Sequence, residues 1–352
     1  MDAKTGNHGA NRLGRVVLLG IGMLFCLGLF AWNGPRSETA ASTQPPAAAQ
    51  ETRQDAEEPT VTLEPSQAPE ESAPGDIEVP EPETTEEQSA AETEEEAAEE
   101  EEHELTWREK FADQFTDGEV VQTPDSYRSA HLAVQVQTVS EKDVVYHVAD
   151  VYVADIACLR SAFANDTFGN TAPAEEIARA HDAVVAISGD HVRGRPDGIV
   201  IRNGELYRDS RFEDICVLYA DGVMETIPAA EVDLEALLAR EPWQVWSFGP
   251  ELMRDGKARE GILHIVSVAN PRSAIGYVEP GHYVFIQVDG RGAFGSRGLT
   301  LDALAKLFEE LGCTVAYNLD GGQTASMTWM GELISYPYGR YACDIIYVCD
   351  TP

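Results

Sequence analysis

The chain reads as an α+β protein: a mixed, mostly antiparallel sheet with a few packed helices, preceded by a transmembrane segment and a disordered linker. Three observations carry that reading. Short runs of alternating apolar and polar residues recur from His131 to Val348, as half-buried strands require. Compact turn pairs, Asn203-Gly204, Asp221-Gly222 and Pro280-Gly281, separate several of them, the pattern of hairpins. Helical periodicity is confined to a few segments, so no regular βαβ alternation is built.

The N-terminus differs from the rest. Lys4, Arg12 and Arg15 precede an apolar run, 16–32, long enough to cross a bilayer or slightly short of it. The basic tip, 1–15, belongs in the cytoplasm by the charge rule, and the run reads as an uncleaved signal-anchor. Thr39-Ala40-Ala41 is a poor cleavage site, although cleavage and secretion stand as the alternative. On either route the C-terminal domain lies outside the cell membrane.

Residues 33–104 are Pro, Ala, Thr, Gln and Glu with almost no large apolar side chain. Such a stretch cannot bury enough surface to offset its ordering entropy, so it is a disordered acidic linker. It serves as a tether or as a solubilising stretch. Much of the chain's net charge of −36 is gathered here.

Residues 105–352 form a single domain's worth of periodic sequence. Leu105 to Phe115 is expected as a short helix. Strands are expected at His131–Thr138, Val144–Ala154, Ala183–Ser188, Gly198–Arg202, Glu205–Tyr207, Cys216–Tyr219 and Val223–Ile227. Further strands are expected at Ala274–Val278, Tyr283–Val288, Thr314–Tyr317, Ala325–Trp329, Glu332–Ile334 and Asp344–Val348. Helices are expected over Ala174–Ala180, Ala230–Ala239 and Leu301–Leu311, the last capped by Thr300 and closed by Gly312. Beyond Cys26, the cysteines are Cys158, Cys216, Cys313, Cys343 and Cys349. An odd number at these spacings matches neither a disulfide framework nor a zinc site, and most are expected as small buried apolar residues. An acidic balance argues against a nucleic-acid partner.

Polar clusters break the apolar strands at their ends: Gly189-Asp190-His191 with Arg193 and Arg195, Asn270-Pro271-Arg272, Asp289-Gly290-Arg291, Asn318 to Thr324, and Gly339-Arg340. Strand-to-loop junctions are frequent sites of chemistry. Arginine forks suit phosphate or carboxylate oxygens, and fixed carboxylates suit proton transfer or an electron-poor carbon. Paired glycines at Gly321 and Gly322 let backbone approach a bound group. No Walker loop, His-Glu-x-x-His helix or Gly-x-Ser-x-Gly elbow is present. His131, His147, His181, His264 and His282 are scattered and read as surface or satisfied strand residues. Trp243, Trp246 and Phe248 read as core packing before sugar stacking.

The order of Ile187-Ser188-Gly189-Asp190, Arg202-Asn203-Gly204, Asn270 to Gly276, Val288 to Arg291, Ser296 to Leu301, Asn318 to Gly322, and Arg340 before a final apolar strand resembles the phosphodiester glycosidase family. The resemblance runs from about Ser126 to Val348. It departs where the family carries Asn-Gly-Asp followed by an aromatic: here stand Ser188 and His191. Gln323 also replaces a frequent glycine. The resemblance implies a sugar-1-phosphodiester substrate, cut between the anomeric carbon and the phosphate oxygen, and the exported N-terminal pattern puts that substrate in an envelope or extracellular glycan.

The residue types suit that chemistry. Departing phosphate wants charge neutralisation, which Arg272, Arg291, Arg340 and the backbone N–H groups around Gly321 and Gly322 offer, with Asn318 and Thr324 beside them. An oxocarbenium-like centre wants a carboxylate. The expected catalytic groups are Asp320 as base or stabiliser, Asp190 as its partner, and Asp289 orienting Arg291. The spacing demands no cofactor and no metal, and leaves a divalent cation open. A phosphodiesterase cutting P–O and a non-catalytic glycan-binding envelope protein are the competing functions.

Overall fold

The structure, a computed structural model, describes residues 105–210, 214–264 and 266–351. The expected membrane span 16–32 and linker 33–104 lie outside the described residues. Among the described residues no helix is long and apolar enough to cross a membrane.

Three antiparallel sheets make the body of the domain. The largest has seven strands in the spatial order Val121–Gln122, Ser126–Arg128, Leu132–Glu141, Val144–Val153, His282–Val288, Arg272–Glu279 and Val315–Asn318. A five-stranded sheet runs Met224–Ile227, Ile215–Tyr219, Pro242–Trp246, Gly198–Arg202, Glu205–Ser210. A second runs Glu332–Leu333, Met327–Trp329, Val185–Ser188, Asp344–Val348, Leu159–Phe163. The α+β class with antiparallel sheets holds, but the strands divide among separate sheets rather than sharing one.

Local chemistry explains most boundaries. Asn203 and Gly204 both take positive φ, so the hairpin Gly198–Arg202 to Glu205–Ser210 closes where the Asn-Gly pair stands. The helix Leu301–Glu310 starts where Thr300 Oγ1 accepts from Ala303 N at 3.2 Å. It buries Leu301, Leu304, Ala305 and Phe308 on one face. Phe308 can pack close against the strand Arg272–Glu279 because position 276 has no side chain; a Cβ there would stand 2.6 Å from the Phe308 ring.

Some expectations are revised. The first helix is only Trp107–Lys110, closed by a Thr106–Glu109 capping box. Its Trp107 sits against the turns at Gly222 and Gly281. Ala230–Ala239 resolves into a single turn, Ala229–Glu231, and a helix Leu234–Ala239 restarted by the Asp233 side chain. The strands Leu159–Phe163 and Pro242–Trp246 went unread. Each is almost wholly buried, so neither shows the alternation of a strand with one wet face. The cysteines at 158, 216, 313, 343 and 349 are all buried and, among the described residues, unpaired.

Candidate active site

The seven-stranded sheet and the sheet containing Val185–Ser188 meet at their strand ends, and hydrogen bonds stitch the junction. Ser273 Oγ donates to Ser188 O at 2.8 Å, Ser188 Oγ to Asp320 O at 3.0 Å, and Asp320 N to Gly189 O at 2.9 Å. Strand register does the rest. Arg272 pairs with Val288, and Ala274 with Asn318, which brings Arg272, Asp289 and the Asn318–Asp320 segment to one edge.

Three glycine loops close onto Asn270-Pro271. A Cβ at Gly290 would meet Pro271 N at 2.8 Å, one at Gly321 would meet Pro271 O at 2.6 Å, and one at Gly298 would collide with the Asn270 carbonyl. The motifs Asn270-Pro271-Arg272, Asp289-Gly290-Arg291, Ser296 to Gly298 and Asp320-Gly321-Gly322 are therefore a single packed unit. Glycine is needed there because backbone lies on backbone.

Beside this unit opens a cleft of about 250 Å³. Asp320, Arg340, Arg291, Arg272, Asn318 and the Gly321-Gly322 bend line it, as sequence reasoning expects. His191, Arg195, Phe248 and His264 line it too.

Asp320 is 4% exposed. Its Oδ1 accepts from Arg340 Nη2 at 2.6 Å, and its Oδ2 lies 4.0 Å from His191 Nδ1. Burial raises the Asp320 pKa above the ordinary carboxylate value, while Arg340 and His191 pull against that shift. Arg340 is held in turn by Thr324 Oγ1, which accepts from its Nε. Thr324 thus positions the guanidinium from outside the cleft.

Arg272 is buried and has no carboxylate partner among the described residues. Its Nε donates to Leu299 O at 3.0 Å, and its Nη2 to Val266 O and Val268 O at 2.8 and 2.7 Å. Burial lowers its pKa to about 10. A guanidinium so placed satisfies its N–H groups with carbonyl dipoles but leaves its charge uncompensated, which makes the cleft receptive to an anion. It also braces the segment that carries His264. The His264 pKa is lowered by burial and by the nearby charges of Arg195 and Arg272, so the ring is neutral at neutral pH.

The other two aspartates are placed differently. Asp190 is outside the cleft lining, at a node between sheets: Oδ2 accepts from Arg202 Nη2 at 2.8 Å and Ser247 N at 3.0 Å, and Oδ1 from Phe248 N at 3.2 Å. Arg202 also binds Asp344 Oδ2, at 2.9 Å through Nε. Asp289 is fully buried, with Oδ1 accepting from Gln287 Nε2 and Tyr336 N, both at 3.1 Å, and Oδ2 3.4 Å from His147 Nε2. The bond that orients Arg291 comes from Asn270 Oδ1, at 3.0 Å, and not from Asp289. The Gly322 N–H is also committed, to Pro271 O at 2.9 Å, so it does not face a ligand. Asn318 spends its amide on Gly249 O at 2.7 Å, leaving its buried Oδ1 without a partner among the described residues.

The aromatic trio divides as well. Trp246 is core, Trp243 Nε1 donates to Leu159 O at 2.6 Å, and Phe248 lies in the cleft with the Arg195 guanidinium 4.3 Å from its ring centre. Among the described residues no group of three or more His, Cys, Asp or Glu side chains is arranged to hold a metal ion. His191 was visible in sequence as the departure next to Asp190. His264 had no local signal, because only the bracing by Arg272 brings it to the cleft.

Comparison with known proteins agrees with the resemblance read from the motifs. The model of the phosphodiester glycosidase family matches residues 181–348. The SPbeta prophage-derived uncharacterized protein YomE of Bacillus subtilis (strain 168) is 33% identical over 169 residues. That match takes in 45% of this chain and 26% of the relative, so the chain spans about a quarter of that relative's length. Among solved structures, the zebrafish N-acetylglucosamine-1-phosphodiester alpha-N-acetylglucosaminidase catalytic domain, auto-inhibited by its pro-peptide, is similar at a TM-score of 0.51. It is 20% identical, with 66% of this chain and 86% of that chain covered, a likeness of fold.

Proposed function

We infer that this chain, whose residues 181–348 match the phosphodiester glycosidase family, hydrolyses the bond between a sugar's anomeric carbon and a phosphate oxygen. The observation that carries the reading is Asp320: a buried carboxylate at the cleft with Arg340 on one oxygen and the other facing His191. A cation-rich cleft alone would suit any anion, whereas a carboxylate set among the arginines suits a positive carbon next to a departing phosphate.

In this mechanism Arg291 and Arg340 hold the phosphate, with the buried charge of Arg272 behind them. As the C1–O bond breaks, its electron pair leaves with the phosphate. The Asp320 carboxylate faces the oxocarbenium-like carbon or takes a proton from the attacking water. Its raised pKa makes it a better base than an exposed aspartate. His191, 4.0 Å from Asp320 Oδ2, is the imidazole placed to pass that proton on. Asp190 acts as a positioning residue through Arg202 and the Ser247–Phe248 backbone, and Asp289 through the Tyr336 and His147 contacts.

The N-terminal sequence supports an exported domain tethered by residues 16–32, with a phosphorylated glycan as its substrate. A panel of sugar-1-phosphodiesters hydrolysed in ¹⁸O-labelled water tests the chemistry: label in the sugar is expected, and label in the phosphate would show P–O cleavage instead. Asp320→Asn is expected to lower kcat/KM by about a thousandfold while substrate still binds. Unchanged turnover in that variant would remove Asp320 from the mechanism.

A further inference from the structure

Arg340 belongs to two hollows. On one side lies the cleft with Asp320. On the other lies a second hollow of about 280 Å³, whose lining includes Arg340, Thr324, Gln323, Tyr336, Tyr341 and Glu175. We propose that this second hollow is the subsite for the leaving-group side of the diester, built to take a neutral sugar ring or polyol. The proposal rests on the glycosidase reading above.

Three observations lead there. The first is continuity: Arg340 Nη2 reaches Asp320 while its Nε reaches Thr324, so a phosphate on this guanidinium sits at the boundary between the two hollows. With the anomeric carbon at Asp320, the phosphate's other ester oxygen points away from the first cleft. The second is the lining. Tyr336 is 40% and Tyr341 55% exposed, and large rings left so open beside a polar hollow are available for a sugar's C–H groups to pack on. Tyr336 is held in place by its neighbours, with ring centres 5.0 Å from Tyr338 and 5.5 Å from Phe294.

The third is polarity. Gln323 and Thr324 supply amide and hydroxyl groups, Ser326 lines the same hollow with an Oγ that has no partner among the described residues, and Glu175 adds a carboxylate. A carboxylate accepts from sugar hydroxyls and repels a second anion. The ligand class is therefore a neutral, hydroxyl-bearing group and not a second phosphate. A preformed platform of this kind improves binding of the correct leaving group without touching the reacting bond.

The test uses the full chain and the glycone that turns over best in the diester panel, esterified either to methanol or to the 6-hydroxyl of glucose. Wild-type protein is expected to favour the glucose ester at least tenfold in kcat/KM. Tyr341→Ala and Glu175→Ala are expected to bring that preference close to one, mainly through KM, while the methyl ester stays within about twofold. Retained activity on the methyl ester reports that each variant folds. A preference that survives both substitutions, or an equal fall on both esters, would overturn the subsite. Wild-type inactivity on every diester would overturn the glycosidase reading and the subsite with it.

Discussion

Arg340 Nη2 lies 2.6 Å from Asp320 Oδ1, a charge-assisted bond between a 40%-exposed guanidinium and a buried carboxylate. The cation opposes the rise in carboxyl pKa that burial causes. Protein and solvent thus meet at this one pair.

Removing that cation has a predictable sign. The proposed mechanism needs this carboxylate ionised, so activity is expected to fall as pH drops through the Asp320 pKa, already above the ordinary value. Arg340→Gln removes a lowering influence, so the pKa rises further and the acid limb of the kcat/KM profile moves to higher pH. An acid limb that stays in place or moves down would show that another group controls it.

Asp344 offers a stability test away from the cleft. It is fully buried, and burial and Asp190 raise its pKa to about 7 against the pull of Arg202. The folded state therefore holds this proton up to about pH 7, whereas the unfolded chain releases it near pH 4. Stability from this group is full at low pH and declines as pH rises between those values. Asp344→Asn should flatten that slope in thermal melts from pH 4 to 7. A variant whose slope matches the wild type would reassign the proton.

Gly321→Ala tests the packed loop unit. Its Cβ would stand 2.6 Å from Pro271 O, a backbone atom that cannot swing aside. Overpacking of this kind costs about 1–3 kcal/mol. The expected result is a melting temperature lower by several degrees, with activity lost more steeply than stability, since Asp320 is the adjacent residue. A variant as stable and active as the wild type would mean that the loop has room to shift.

Much of the strand pattern was legible because hairpins announce themselves locally. The helix Ala174–Ala180 and the strands Gly198–Arg202 and Asp344–Val348 fall where periodicity and turn chemistry put them. Leu159–Phe163 and Pro242–Trp246 did not, since burial on both faces erases alternation. Within the site, Asp320, Arg291 and Arg340 were readable as chemistry waiting at strand ends. The tasks of Asp190 and Asp289 were not, because a carboxylate's partners come from distant strands.

What the amino-acid sequence determined by itself was which residues could carry charge and where the chain must turn, since both follow from side-chain chemistry and short-range backbone sterics. Only the tertiary structure decided which charges are spent. Arg202 consumes Asp190, three carbonyls hold Arg272 and Asn270 turns Arg291, leaving Asp320 to face the cleft. Those assignments depend on hydrogen-bond geometry between segments far apart in the chain. Such geometry exists only once the sheets have met.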